Sequence, residues 1–288
     1  MKNYLSLIPF LLLMSCTNDD IIENVVSNTS STKIQTLTIK DEEILNGVAT
    51  LYEKLDFKFE YSNDKLIKVY DIHGNYTENL TYINNSLTSI TISGYAYPQL
   101  VDHIPLDIKR NTTCNTNNQI ILSENPIQNQ LGNSFYTTFE YPSADIIIAK
   151  DYIKSFNNSG MLKKTSKIFL NNGNVTKIQS AYDGSDIFLK ETRYEYDQKI
   201  NPNFLIDKNR ILALPEYAFN VFALQDYSQI SRNNVLKRTE YVLATNEQYN
   251  NVLSVNYNYL NNDFPEMIYL QYNYPDNKGL KVSAIYGY

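Results

Sequence analysis

The chain of 288 residues has no tryptophan, two cysteines and two histidines. Two cysteines cannot build a disulfide framework. Cys16 ends an apolar leader, so Cys114 stands alone in the rest of the chain. A thiol nucleophile needs a histidine beside it, and neither His73 nor His103 sits in a recognisable motif. Cys114 therefore reads as a small, half-buried residue. No glycine-rich phosphate loop, paired-histidine metal motif or Gly-x-Ser-x-Gly elbow occurs. Asp183-Gly184-Ser185-Asp186 could offer carboxylates to calcium but lacks the further ligands and closing Glu of a calcium loop. It reads as a hairpin turn, and so do Asp71 and His73 around Gly74-Asn75. Basic residues do not cluster and the formal charge is −6, so the footprint of a nucleic-acid binder is missing. No cofactor, metal site or nucleic-acid partner is expected.

What is present is strand material. The chain is 43% hydrophobic and 13% aromatic, with 25 Tyr against 12 Phe. Tyrosine suits strands with one half-wet face, because its ring packs while its hydroxyl stays in water. Leu55 to Tyr70, LDFKFEYSNDKLIKVY, is the template. Phe57, Phe59 and Tyr61 alternate with Lys58 and Glu60, the two-residue period of a strand with one buried face. Turn formers Ser62 to Lys65 come next, and Leu66, Ile67 and Val69 belong to a return strand.

The same grammar recurs. An apolar residue is followed five positions later by a second and three later by a third. Tyr61/Leu66/Val69, Tyr82/Leu87/Ile90, Tyr141/Ile146/Ala149, Leu170/Val175/Ile178 and Tyr259/Phe264/Met267 fit. Phe156 and Met161 match, but Lys164 breaks the third place. Recurrent hairpins must stack, because a lone hairpin cannot bury its face. The expected fold is all-β: antiparallel hairpin repeats stacked in one extended or curved sheet, with one short helix in an insertion. Leu66, Leu87, Val175 and Phe264 should be buried just after their turns. Lys58, Glu60 and Lys68 stand at the solvent side of the template, where a transmembrane barrel needs an apolar band. The closing strand Lys281 to Tyr288 is read as part of a soluble sheet.

Two stretches break the rhythm, about 93–134 and 201–234. The first reads as loops around one or two short strands, one including Ile120 to Leu122. In the second, Pro215 to Leu224 can form a short helix with Pro215 in its first turn. The loop aromatics Tyr95, Tyr97, Tyr217, Phe219, Phe222 and Tyr227 are the candidate binding residues, placed to stack on sugars, meet a partner or fold back as lids.

Residues 1–15 read as a signal peptide: Lys2, then an apolar run too short to span a bilayer. Leu13-Met14-Ser15-Cys16 resembles the bacterial lipobox, which implies cleavage after Ser15 and a lipid on Cys16. Asp19 and Asp20 resemble the acidic surface-export signal of Bacteroidota lipoproteins. Residues 16–33 form a polar tether, and 34–288 a single β domain. Tyr194-Glu195-Tyr196-Asp197, Asn201-Pro202 and, after a long insertion, Ser231 to Val235 resemble Bacteroidota surface lipoproteins with YD-type repeats, similar to those of Rhs-like proteins. The resemblance implies a lipid-anchored, mostly antiparallel β fold and brings no catalytic residues. The expected protein sits at the outer membrane through Cys16, faces the exterior, and binds or scaffolds a glycan or protein partner without catalysis. The alternative is a glycan-active enzyme with dispersed carboxylates.

Overall fold

The computed structural model describes residues 32–95, 105–126, 133–155, 160–215, 226–274 and 278–288. Its first strands are β1 (Thr36–Leu45), β2 (Val48–Ser62), β3 (Lys65–Asp71), β4 (Tyr76–Ile83), β5 (Ser86–Tyr95), β6 (Pro105–Cys114), β7 (Ile120–Glu124), β8 (Ser134–Ser143) and β9 (Ile146–Lys154). After them come β10 (Met161–Asn171), β11 (Asn174–Tyr182), β12 (Lys190–Ile200), β13 (Asn233–Val242), β14 (Glu247–Ser254), β15 (Asn256–Tyr259), β16 (Pro265–Tyr274) and β17 (Lys278–Gly287). One helix, α1 (Lys208–Ala213), lies between β12 and β13. Ile34 to Tyr288 forms one compact unit.

Successive strands pair antiparallel all along this unit, as the hairpin grammar requires. β14 and β15 form one bent stave: the amide of Val255 between them donates to Leu236 of β13 at 2.9 Å. β1 pairs with β2 on one side and with β17 on the other. The seventeen-stranded sheet therefore closes on itself, and its first and last strands satisfy each other's backbone. The periodicity allows an extended or a curved sheet, and closure is the outcome.

Three tight turns at one end have two central residues with positive φ: Asn63-Asp64, Asn84-Asn85 and Asn172-Gly173. That geometry matches strand twist and explains the Asn-rich turns. We call this the tight-turn end. β1 starts there, and the opposite rim carries the other set of connections.

The five-then-three spacing has a physical cause. Tyr61 faces Leu66, whereas Glu60 faces Lys68, so Ile67 is an extra residue in the return strand. The same bulge skips Thr88 and Thr176. An extra residue puts positions three apart, instead of two, on one face. Leu66 (3% exposed), Leu87 (0%), Val175 (0%) and Phe264 (3%) are buried as the repeat predicts. Two members slip by one. Ile147 and Ile268 are buried, while Ile146 and Met267 are half-buried. At Ile146 the bulge is differently built, with Ser143 facing Ile146 and Glu140 facing Ile148. At Met267, Pro265 is already the residue opposite Tyr259.

Each bulge interrupts the ladder, and the tyrosines fill the gap. The hydroxyl of Tyr141 donates to the Ile120 carbonyl (2.9 Å), Tyr196 to Val175 (2.6 Å), Tyr257 to Val235 (2.7 Å) and Tyr288 to Pro265 (3.0 Å). In each case the acceptor immediately precedes the bulge residue and the donor lies on the next strand round or, for Tyr288, one residue past its end. Tyr61 donates likewise to Ile34 (2.9 Å). Phe cannot do this, which gives the excess of Tyr over Phe a reason.

The apolar set faces inward. The outward face carries Lys58, Glu60 and Lys68 on the template and Lys177, Glu191 and Arg193 on the far wall. That is the reverse of a lipid-facing barrel surface.

Two expectations change. The stretch 105–114 is a full strand, although Asn111 to Cys114 has the composition of a loop; Thr112 donates to the Leu87 carbonyl at 2.5 Å, so a polar residue can face inward there. The helix lies at Lys208–Ala213, ahead of the predicted Pro215–Leu224. Asp207 caps it by accepting from the Asn209 amide, and Leu214 leaves helical geometry (φ −145°, ψ 64°) because the next residue is proline. Of the predicted helix, 216–225 lies outside the described residues.

Candidate functional site

The long insertion replaces one tight turn of the repeat. Tyr196 still faces Val235, with Leu236 as the bulge residue, just as Tyr61 faces Leu66. The inserted chain enters the barrel at the tight-turn end and runs inward. Asn201 caps a 3-10 turn (Pro202–Leu205), and its amide group donates to the carbonyls of Gln229 (3.3 Å) and Ser231 (3.1 Å), tying the two arms together.

The insert is held to opposite walls. Asn209 Oδ1 accepts from the Ile120 amide (3.1 Å), and its Nδ2 donates to the Asn118 carbonyl (2.8 Å). Arg210 Nε and Nη2 donate to Glu78 Oε1 (2.8 Å) and Oε2 (2.7 Å) of β4, and both side chains are fully buried. Tyr76 adds a third hydrogen bond to Glu78 at 3.0 Å. On the far wall Tyr194 of β12 donates to Asp226 Oδ2 (2.9 Å). Asp226 Oδ1 caps the turn Tyr227–Ile230 by accepting from the Ser228 amide (2.8 Å).

The interior is graded. Near the tight turns it is apolar, with Leu66, Leu87, Val175 and Phe264. Toward the other rim it becomes charged. Lys190 and Arg238 there hold Glu240 at 2.8 and 2.5 Å. Burial alone would raise the Glu240 carboxyl, but those two hydrogen bonds outweigh it and hold it below its ordinary value. Asp41 and Glu53 face each other across β1 and β2. Burial raises both, and the Asp41 charge raises Glu53 further.

At this charged rim a cleft of about 490 Å³ opens between the insert and the ends of β8, β9 and β10. Leu212, Ala213, Pro215 and Tyr227 line it from the insert. Arg110, Asp151, Lys163 and Lys164 line it from the wall, with Phe135, Tyr136 and Tyr152 at the rim. Tyr136 and Tyr152 stack with centroids 4.7 Å apart and planes 5° from parallel. Gly160 lies against Tyr136: its φ is +105°, and a Cβ there would stand 2.2 Å from the Tyr136 hydroxyl. Burial, then the neighbouring Tyr152, raises the Tyr136 phenol. Asp151 accepts from Thr137 Oγ1 at 2.7 Å and sits opposite Lys164 in the ladder.

Of the aromatics singled out in the sequence, Tyr227 is buried and lines this cleft. Tyr95 ends β5, and nothing further is described of its side chain. Tyr97, Tyr217, Phe219 and Phe222 lie outside the described residues, and so do Cys16, Asp19 and Asp20. Sequence reasoning does not single out the wall residues Arg110 and Asp151, and it marks Lys164 only as a broken repeat. Lys164 alone carries a visible signal: it occupies the one place in the repeat where an apolar residue is due. Among the described residues no group of three His, Cys, Asp or Glu side chains is arranged to hold a metal ion. The half-buried Cys114 thiol, pushed up by burial and by Asp207, sits 3.9 Å from Asn209 Nδ2.

No family model and no curated protein matches the chain. Among solved structures, a porin-like protein from Bacteroides uniformis is similar over 89% of this chain and 98% of its own, with 11% identity and a TM-score of 0.48. At that identity and score it transfers neither family nor activity.

Proposed function

We propose that the chain is a lipid-anchored outer-membrane protein facing the cell exterior, with the barrel as a non-catalytic binding module. The observation that carries this reading is the placement of the cleft. It opens at the rim opposite the tight-turn end, where the chain from residue 33 joins β1. A chain of that length behaving as a random coil, as the polar composition of 16–33 suggests, would have a root-mean-square reach of about 20–25 Å. A lipid at Cys16 would therefore hold the tight-turn end near the bilayer and leave the cleft accessible. The charged outward face supports a membrane contact made by the lipid and not by the barrel wall. The resemblance to Bacteroidota lipoproteins with YD-type repeats points the same way.

The alternative, a glycan-active enzyme, would use the two cleft carboxylates. Asp226 has both oxygens engaged in capping and in the Tyr194 bond, and Asp151 is tied to Thr137. Such commitments suit structural roles better than general acid and base roles. The test combines mass spectrometry of the mature N-terminus with protease treatment of whole cells. A diacylglyceryl Cys16 and a barrel digested from outside support the reading. An unmodified Cys16, or cleavage elsewhere, removes it.

A further inference from the structure

We infer that Asp41 and Glu53 form a binding site for a hard divalent cation, Ca²⁺ or Mg²⁺, on the inner face of the barrel wall. Leu37, Ile39 and Asp41 alternate along β1, and Phe57, Leu55 and Glu53 alternate along β2. The register sets Leu37 against Phe57, Ile39 against Leu55 and Asp41 against Glu53. The two carboxylates therefore continue the inward apolar rows and face each other. Glu53 is only 7% exposed. Its Oε1 and the Oδ1 of Asp41 are both buried, and neither has a hydrogen-bond partner among the described residues. On its other side Asp41 meets Val282 of β17, whose side chain has no donor.

Neighbouring acids are treated differently. Asp56, on the outward face of β2, is met by Lys54 at 2.7 Å. Glu42, outward on β1, lies 3.7 Å from Lys281. Glu240, inward toward the same rim, is held by Lys190 and Arg238. Asp41 and Glu53 have no such counter-charge among the described residues. A buried polar atom without a protein partner calls for a water or an ion, and two facing carboxylates without a cation cost stability. Burial raises both carboxyls, and Asp41 raises Glu53 further, the response of acids that lack a counter-charge. A divalent cation between them offsets both charges at once. Carboxylate oxygens suit hard cations, and Mg²⁺ is commonly held by one or two carboxylates with water completing its shell. Beside the pair Glu42 faces Leu51, so Tyr52 is an extra residue in β2. Such a bulge takes backbone groups out of the ladder and leaves further oxygens for a cation. The two acids meet across strands, so no sequence motif marks them.

The test is thermal unfolding of the full chain at pH 7 and low salt, stripped with EDTA and then titrated with CaCl₂ or MgCl₂ against NaCl of equal ionic strength. At least one of the two cations is expected to raise the melting temperature saturably, by about 5–10 °C at a hundredfold excess over its dissociation constant. The cation that binds tighter in a calorimetric titration identifies the ligand. Glu53→Gln keeps the shape and removes the charge, and it should abolish the increment, as should Asp41→Asn. If Asp41→Asn does not fold, Glu53→Gln decides alone. No increment with either cation, an increment matched by NaCl, or one retained in Glu53→Gln overturns the inference. Stabilisation by acid alone, with no effect of either cation, would give the pair a shared proton in place of a metal and likewise overturns it. The binding-module reading rests on the cleft and stands or falls separately.

Discussion

The insert should depend on one buried ion pair, Arg210–Glu78. Both side chains are fully buried, and three hydrogen bonds converge on Glu78. Removing one member of such a pair leaves the other charge stranded in a low-dielectric interior, at a cost of about 3–5 kcal/mol. Glu78→Leu strands the guanidinium, and Arg210→Met strands the carboxylate. Replacing both removes the stranded charge, so the double variant should recover most of the loss, with a coupling energy above about 2 kcal/mol. At roughly 2–4 °C per kcal/mol for a domain of this size, each single variant should melt about 6–20 °C lower. Urea unfolding of wild type, both singles and the double gives the cycle. A double variant that loses the sum of the two singles would refute the pair as the anchor. So would singles that each cost less than about 1 kcal/mol.

The bulge tyrosines make a second test: Tyr141→Phe, Tyr196→Phe and Tyr257→Phe each orphan a carbonyl and should cost about 1–3 kcal/mol, while Tyr70→Phe on the outward face should stay within about 0.5. Equal costs at all four sites in urea unfolding would show that the hydroxyls are incidental. The acidic pair predicts a pH signature. Glu53 has a folded pKa above its unfolded one, so stability falls as pH rises from the ordinary carboxylate range through the folded value. Glu53→Gln should raise stability at pH 7 and reduce that slope to the part that the buried Asp41 contributes; a slope unchanged in the variant contradicts the assignment. Glu240 behaves oppositely, since its folded pKa is lowered: its contribution is present above the unfolded value and fades as pH falls through the folded one. Glu240→Gln should therefore destabilise at pH 7 and matter little once the folded-state carboxyl is protonated. Finally, changing Asp19 and Asp20 to Ala should leave the protein lipidated but shielded from external protease, and equal digestion of variant and wild type would sever the acidic pair from export.

Sequence periodicity by itself determined the strand faces, the hairpins and the buried residues after each turn, because those are local consequences of the two-residue period and of Asn-rich turns. Leu66, Leu87, Val175 and Phe264 were legible for that reason. The bulge that makes the spacing three instead of two is written in the repeat, but its cause lies in cross-strand pairing. Met267 and Ile146 slip because a one-residue change at a turn moves a strand to its other face, and turn geometry is a cross-strand property. The helix starts earlier than its apolar run because Asp207 and Leu214-Pro215 set its ends more strongly than the residues beyond them. Closure depends on β1 meeting β17, strands separated by nearly the whole chain, and no local pattern encodes that contact. The cleft is equally nonlocal: Arg110, Asp151 and Lys164 come from three strands, and Tyr227 comes from an insert threaded through the lumen. In the sequence Lys164 is only a broken repeat. The closed barrel gave it a place, because closure turned that face inward, toward the rim where a charge needs a partner.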